Sequence, residues 1–161
     1  MKASPLTAVL LGGSIAAVLD ITFAISFAAY NGATPVRLLQ TVASGLLGTA
    51  AFTGGVPAAA LGLALHFGMS ILWAGAFLVL AKSIPALTLR PVVSGILFGA
   101  LVFVSMRFVV LPLSAFPYPV TFKPLATALD FLSHTLLFGV PIALAIRKAV
   151  LNVPQAPRGA G

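Results

Sequence analysis

Apolar residues run through the chain in four long stretches that are separated by shorter, more polar segments. The four stretches cover residues 6–29, 57–81, 92–113 and 124–146. A helix needs about 20 predominantly apolar residues to cross the hydrocarbon core of a bilayer, and each stretch is long enough. Pro57, Pro91 and Pro124 stand near the starts of the last three stretches, where the first turn of a helix tolerates proline well. The pattern therefore predicts an all-α integral membrane bundle of four transmembrane helices.

The segment between the first and second stretches has a different character. Residues 35–52 read PVRLLQTVASGLLGTAAF, and their apolar side chains recur at the spacing of a helix with one apolar face. The segment is too short to span a bilayer, and Gly54 and Gly55 follow it as a break. We predict an amphipathic helix that lies on the outer membrane surface or re-enters the membrane. Its simpler role is to brace the bundle, and its alternative role is that of a gate or lid.

Composition narrows the class of protein. Apolar residues make up 60% of the chain and charged residues 7%, whereas about 25% of an ordinary soluble domain is charged. Such a chain cannot cover a water-facing surface, so the lipid bilayer is its predicted environment. The absence of cysteine excludes disulfides, thiolate metal sites and a cysteine nucleophile. We predict a single domain over residues 1–148 and a flexible cytoplasmic tail, rich in proline and glycine, over residues 149–161.

The formal net charge of +7 does not indicate nucleic-acid binding, because the basic residues are scattered between apolar stretches. In membrane proteins lysine and arginine are enriched in cytoplasmic segments and so set the topology. One side of the predicted bundle carries Lys2, Lys82, Arg90, Arg147, Lys148 and Arg158, and the other carries Arg37 and Lys123. Both termini are therefore predicted to be cytoplasmic. The first stretch begins like a signal peptide, but its length and its aspartate favour a retained helix.

Three charged residues fall inside the apolar stretches: Asp20, Arg107 and Asp130. Charged groups at such depths are costly and are kept when they are paired or used. From the helical rise, all three lie about 21 Å from the cytoplasmic ends of their helices, and hence at one level. His66 and His134 lie slightly deeper, and His134 shares a helix face with Asp130 because the two are one turn apart. These five residues form the predicted intramembrane polar cluster.

Two acids and one arginine leave one acid without a cation. We predict that Arg107 and Asp130 form an ion pair and that His134 is hydrogen-bonded to Asp130. Asp20 then remains as the unpaired acid and is the group best suited to exchanging protons. The cluster is predicted either to be structural or to handle protons or a small solute.

Catalytic patterns such as HExxH, GxSxG and a phosphate-binding loop are absent from the sequence. We therefore predict a non-enzymatic protein with no catalytic residue, cofactor or metal site. One alternative is a haem- or metal-binding membrane protein that uses His66 and His134. Another is an accessory subunit of a larger membrane complex. Because four short helices rarely enclose a path by themselves, a homo-oligomer or a partner membrane subunit is expected.

Three stretches carry a resemblance to a known family. They are LHFGMSILWAGAF at 65–77, the run from GILFG at 95–99 to FVVLPL at 108–113, and HTLLFG at 134–139 followed by Arg147 and Lys148. Here the chain resembles a family of bacterial inner-membrane proteins similar to YagU, and the resemblance implies that location without implying an activity. The matching positions are His66, Ser70, Gly95, Gly99, Pro112, Leu113 and His134. Gly95 and Gly99 also form a GxxxG pattern, which lets two membrane helices approach closely.

Overall fold

The computed structural model describes residues 4–151, and within this range the chain forms helices and turns without strands. Four helices are long and apolar enough to cross a membrane. They are span 1, Pro5–Tyr30, span 2, Gly55–Ser83, span 3, Pro91–Leu113, and span 4, Pro124–Val150. The predicted all-α bundle of four membrane-spanning helices is confirmed.

Local chemistry explains where span 1 begins and ends. The side chain of Ser4 accepts a hydrogen bond from the backbone N–H of Thr7 at 3.1 Å and so caps the helix just before Pro5. After the helix ends, Gly32 adopts a φ of +82°, a conformation that glycine accepts without steric cost. The turn that follows leads directly into the next helix.

The amphipathic segment between spans 1 and 2 is helical, as predicted. It runs over Pro35–Leu47, here termed the interspan helix, and continues as a 3-10 turn over Gly48–Phe52. The interspan helix packs on span 2 so closely that a Cβ atom on Gly62 would overlap the backbone carbonyl of Leu39. It therefore packs directly against the bundle at this end. The turn between spans 2 and 3 contains a short helix, Ala86–Leu89.

Span 4 extends further than the sequence pattern indicates, because its helix continues to Leu151. The first three residues of the predicted tail, 149–151, therefore belong to this helix. Ala149 is buried in the same apolar core as Ala8 of span 1, so packing holds the last turn in place. The rest of the predicted tail, residues 152–161, and the basic residue Lys2 lie outside the described residues.

Spans 1 and 4 form the centre of the bundle. Span 1 packs on spans 2 and 4, and span 4 packs along span 3, whereas spans 2 and 3 have little direct contact. The start of span 1 and the end of span 4 lie together, at what we term the terminal end. The interspan helix and the loop between spans 3 and 4 lie at the opposite, loop end.

Apolar side chains fill the half of the bundle nearer the terminal end. Phe77, Ile142 and Ile146 are among its most deeply buried side chains. They pack with small residues of spans 1, 2 and 4. The core therefore lies between the polar cluster and the terminal end.

Spans 3 and 4 cross at glycines. A Cβ atom on Gly95 would lie 2.6 Å from the Cα of Val140, and one on Gly99 would overlap the backbone carbonyl of His134. Gly139 of span 4 faces both of these glycines across the crossing. Side chains are thus missing on both sides of the contact, and the two backbones approach closely, as membrane helices do at small residues.

Both of these spans contain a segment of π-helix. Span 3 is wound as a π-helix over Met106–Val110 and span 4 over Ser133–Gly139. The first segment includes Arg107 and the second includes His134. Such single-turn widenings are rare and occur frequently at functional sites. The two π-helical segments therefore contain two residues of the predicted polar cluster, Arg107 and His134.

Candidate functional site

Two cavities lie in the loop-end half of the bundle, on either side of His134. The loop cavity, of about 340 Å³, lies beneath the loop between spans 3 and 4. The lateral cavity, of about 450 Å³, lies between spans 2 and 3. Residues that line both cavities are Met106, Leu111, Phe116 and His134. Among these four residues, His134 is the only one with an ionisable side chain.

Arg107, Asp130 and His134 form a continuous set of polar contacts at the loop cavity. Nη2 of Arg107 donates a hydrogen bond to Oδ2 of Asp130 at 2.7 Å. Nδ1 of His134 lies 3.1 Å from Oδ1 of the same carboxylate and 2.9 Å from the backbone oxygen of Asp130. Each carboxylate oxygen therefore has a nitrogen partner, and the contacts predicted among these three residues are present.

The guanidinium group of Arg107 is also held by the loop and by aromatic rings. Nη1 donates a hydrogen bond to the backbone oxygen of Thr121 at 2.9 Å. The guanidinium carbon lies 5.2 Å from the ring centroid of Phe103 and 5.3 Å from that of Phe122, within the range of cation–π attraction. Arg107 thus joins span 3, the following loop and Asp130 of span 4.

Asp20 lies at the lateral cavity and has a different environment. Its side chain accepts a hydrogen bond from Oγ of Ser133 at 2.5 Å. Oδ2 lies 3.9 Å from Nε2 of His66, beyond hydrogen-bonding distance. Within residues 4–151, no lysine or arginine forms an ion pair with this carboxylate. Asp20 is 8% exposed, so it is a buried acid with a neutral donor and no permanent cation.

His66 and Ser70 attach span 2 to span 1. Nε2 of His66 lies 3.1 Å from the backbone oxygen of Ala17, and Oγ of Ser70 donates a hydrogen bond to the backbone oxygen of Gly13 at 2.6 Å. Both contacts lie on the stripe of span 2 that faces span 1. They hold the imidazole of His66 beside Asp20 and place it in the wall of the lateral cavity.

The backbone contacts of the two histidines determine which ring nitrogen accepts hydrogen bonds. A carbonyl oxygen can only accept, so the ring nitrogen that faces it carries the proton in the neutral ring. Nε2 of His66 faces such an oxygen, and so does Nδ1 of His134. The other ring nitrogen of each histidine is then an acceptor. In their neutral forms the histidines, together with Asp20, give the polar side of the lateral cavity an accepting character.

The structure corrects one prediction about the polar cluster. Asp20 has no lysine or arginine partner in residues 4–151, as predicted, and its hydrogen-bond donor is Ser133. The three charges do not form one site, however: Asp20 lines the lateral cavity, whereas Arg107 and Asp130 line the loop cavity. Equal depth fixes the height of a side chain but not the direction in which it points. The sequence pattern did not identify Ser133 as a member of the cluster. Its signal is a hydroxyl group next to His134 in an apolar helix, since such a group can donate a hydrogen bond to a neighbouring helix.

The haem or metal alternative depends on His66 and His134. Both imidazoles line the lateral cavity. In the part of the chain that the structure describes, no three histidine, aspartate or glutamate side chains are grouped closely enough to hold a metal ion. A backbone carbonyl engages one nitrogen of each ring and leaves the other nitrogen free, as it is in histidines that ligate metals, so these contacts do not decide between hydrogen bonding and ligation.

Replacing Ser133 with alanine is expected to lower the free energy of unfolding by about 1–3 kcal/mol, because the buried Asp20 carboxylate loses its donor. The measurement is reversible unfolding in mixed detergent micelles. In an Asp20→Asn background the same replacement should cost clearly less. The control is Ser26→Ala, whose hydroxyl bonds to its own helix at the exposed backbone oxygen of Thr22. Equal costs with and without the aspartate would show that Ser133 does not act through Asp20.

The two cavities differ in charge balance, and this difference defines their chemistry. The loop cavity has an acid whose oxygens are both engaged by Arg107 and His134. The lateral cavity has an acid with only a hydroxyl donor. Carboxylates and imidazoles of this kind, inside a membrane bundle, hold structure together or handle protons and ligands.

No protein-family model, curated protein or solved structure matches the chain.

Proposed function

We propose that this protein is a non-enzymatic integral membrane protein that binds a small solute in the lateral cavity, with Asp20 as the ionisable group of the binding site. One observation carries the proposal: a buried acid without a lysine or arginine partner in residues 4–151 lines a cavity of about 450 Å³. An unpaired buried charge is costly, and ionisable groups inside membranes commonly mark routes for protons or ligands. A bound solute or a proton supplies the missing partner.

The group of Arg107, Asp130 and His134 has a structural role in this proposal. Its charges are paired, and it joins two spans to the loop between them. This arrangement keeps the arginine away from Asp20, whose charge would otherwise be balanced within the protein. His134 is the ionisable residue that borders both cavities.

We place the protein in the bacterial inner membrane with both termini in the cytoplasm and the loop end outside. The distribution of basic residues supports this orientation, because Lys82, Arg90, Arg147 and Lys148 lie towards the terminal end. The choice of the bacterial inner membrane follows what the resemblance to the YagU-like family implies. Solute then enters from the loop end, since the apolar core closes the terminal half.

We further propose that the protein works as a homo-oligomer or with a partner membrane subunit. In the most apolar 18 residues of each span, 44% of the residues of span 1 and 39% of those of span 4 are buried. The corresponding fractions are only 17% for span 2 and 22% for span 3. Most of the surface of spans 2 and 3 therefore faces lipid or another subunit. An accessory role in a larger complex is compatible with the same surface.

Single cysteines test whether the lateral cavity is hydrated from the loop end, because the natural chain contains no cysteine. Met69→Cys places a thiol in the cavity wall. It is expected to react with a charged, membrane-impermeant methanethiosulfonate reagent added outside the cell, since a thiol needs water to ionise and react. Labelling is measured by mass shift on the purified protein.

Two matched positions serve as controls for this labelling. Leu72→Cys lies on the same span at an exposed, lipid-facing position, and Ile142→Cys lies in the apolar core. Neither is expected to react. Labelling of Met69→Cys only from the cytoplasmic side would reverse the proposed orientation. No labelling of Met69→Cys from either side, or equal labelling of all three variants, would contradict a hydrated binding cavity.

A further inference from the structure

The lateral cavity lies between spans 2 and 3. These two spans scarcely pack on each other. They meet through aromatic rings: the ring centroids of Trp73 and Phe98 are 6.1 Å apart, and those of Phe77 and Phe98 are 4.9 Å apart. Nearer the loop end, the space between the spans is the cavity itself. The aromatic contact thus lies at the end of the cavity nearer the terminal end of the bundle. Residues of the interspan helix line the end nearer the loop end.

The lining of this cavity is divided into an apolar and a polar side. Apolar residues of spans 2 and 3 and of the interspan helix form the sides, among them Val42, Leu65 and Val102. The polar residues Asp20 and His66 lie deeper, on the stripes where spans 1 and 2 meet. A molecule in this cavity has its apolar body between spans 2 and 3 and its polar head against Asp20.

The polar side is suited to a head group that donates hydrogen bonds and carries positive charge. Asp20 is the only aspartate, glutamate, lysine or arginine among the residues that line the cavity. In the neutral forms of His66 and His134 the second ring nitrogen is an acceptor, and the Ser70 hydroxyl is already committed to a backbone oxygen. An ammonium group is a donor without acceptor capacity, so it complements this lining in both charge and hydrogen bonding.

We propose that the lateral cavity takes up an amphiphilic organic amine in its protonated form, with the ammonium group on Asp20 and the apolar body between spans 2 and 3. This inference rests on the proposed solute-binding function and names the chemical class of the solute. The cavity volume of about 450 Å³ lies in the range of pockets for single small ligands. It favours a single-chain amine over a phospholipid with two acyl chains.

Trp73 provides a direct readout, because it is the only tryptophan in the chain and lines the cavity. The full-length protein is placed in phosphatidylcholine nanodiscs and titrated with ω-bromodecylamine, ω-bromodecanol or ω-bromodecanoate, whose bromine quenches tryptophan fluorescence on contact. The amine is expected to quench in a saturable manner. The alcohol should need at least a roughly 10-fold higher concentration, which corresponds to about 1.4 kcal/mol, and the carboxylate should show no saturation.

Two variants separate binding from quenching by probe dissolved in the lipid. In Asp20→Asn, the preference for the amine over the alcohol should disappear. In the double variant Leu72→Trp with Trp73→Phe, the single tryptophan moves to a lipid-facing position, and all three probes should quench it without saturation. The comparison of the three probes on the natural protein stands by itself if Asp20→Asn does not fold.

The possible results distinguish the two proposals. Saturation by the alcohol or the carboxylate at the same concentration as the amine would overturn the inference of an amine and leave solute binding intact. Saturation by none of the three probes would overturn solute binding in the lateral cavity as well. A preference for the amine that persists in a folded Asp20→Asn protein would show that Asp20 does not recognise the head group.

Discussion

Replacing Gly99 with alanine is expected to lower the free energy of unfolding by roughly 3 kcal/mol, at the upper end of the usual cost of overpacking. The added Cβ atom would overlap the backbone carbonyl of His134 and lie 2.7 Å from the Cα of Thr135. Because backbone atoms obstruct it, no side-chain rotation can relieve the overlap and spans 3 and 4 must move apart. The change is measured by reversible unfolding in mixed detergent micelles.

Gly75→Ala is the matched control for this substitution. Gly75 is also a glycine inside a membrane-spanning helix, but nothing lies within 4 Å of the position of its Cβ atom. Alanine is the better helix former by about 0.8–1.0 kcal/mol, so the control variant should be as stable as the natural protein or slightly more stable. If Gly99→Ala and Gly75→Ala had the same stability, the close crossing of spans 3 and 4 would be wrong.

Arg107→Gln and Asp130→Asn are each expected to destabilise the protein by about 2 kcal/mol. Breaking a fully buried ion pair costs about 3–5 kcal/mol, and the partial exposure of Asp130, at 37% of its side chain, lowers that figure. The double variant should be less destabilised than the sum of the two single variants, with a coupling energy of about 1–2 kcal/mol. The four proteins form a double-mutant cycle, read out as free energies of unfolding.

A second cycle controls for general effects of removing an arginine. Arg37 lies over the ring of Phe52, 3.9 Å from its centroid, and makes no ion pair with Asp130. Arg37→Gln combined with Asp130→Asn should therefore give additive changes within about 0.5 kcal/mol. Additive changes in the Arg107 cycle too would mean that the 2.7 Å contact contributes no coupling energy. In that case the structural role assigned to this group fails.

The architecture of the bundle could be predicted because it depends on length and local pattern. Each of the four apolar stretches is long enough to cross a bilayer, and the period of residues 35–52 is that of an amphipathic helix. The structure contains these helices. The boundary at residue 149 could not be predicted, because the last turn of span 4 is held by packing against span 1, a contact between distant parts of the chain.

Within the polar cluster, too, contacts between residues close in sequence could be predicted, whereas contacts between different spans depend on how the spans pack. His134 and Asp130 are one helical turn apart, so their contact follows from local geometry. Equal depth and opposite charge limited the partner of Arg107 to Asp20 or Asp130, and the packing of span 3 on span 4 selects Asp130. The hydroxyl of Ser133 on Asp20 could not be predicted, because that contact depends on how spans 1 and 4 are rotated about their axes.

By itself, the sequence determined that this protein is a membrane bundle, because a chain with 60% apolar and 7% charged residues cannot satisfy a water-facing surface. It also determined which few groups are costly to bury, and hence where function is to be sought. The tertiary structure alone decided that Arg107 and Asp130 face one cavity and Asp20 another, with His134 between them. The physical reason is that helix depth is encoded locally, whereas the direction of a side chain depends on backbone approach at positions such as Gly99, where distant segments meet.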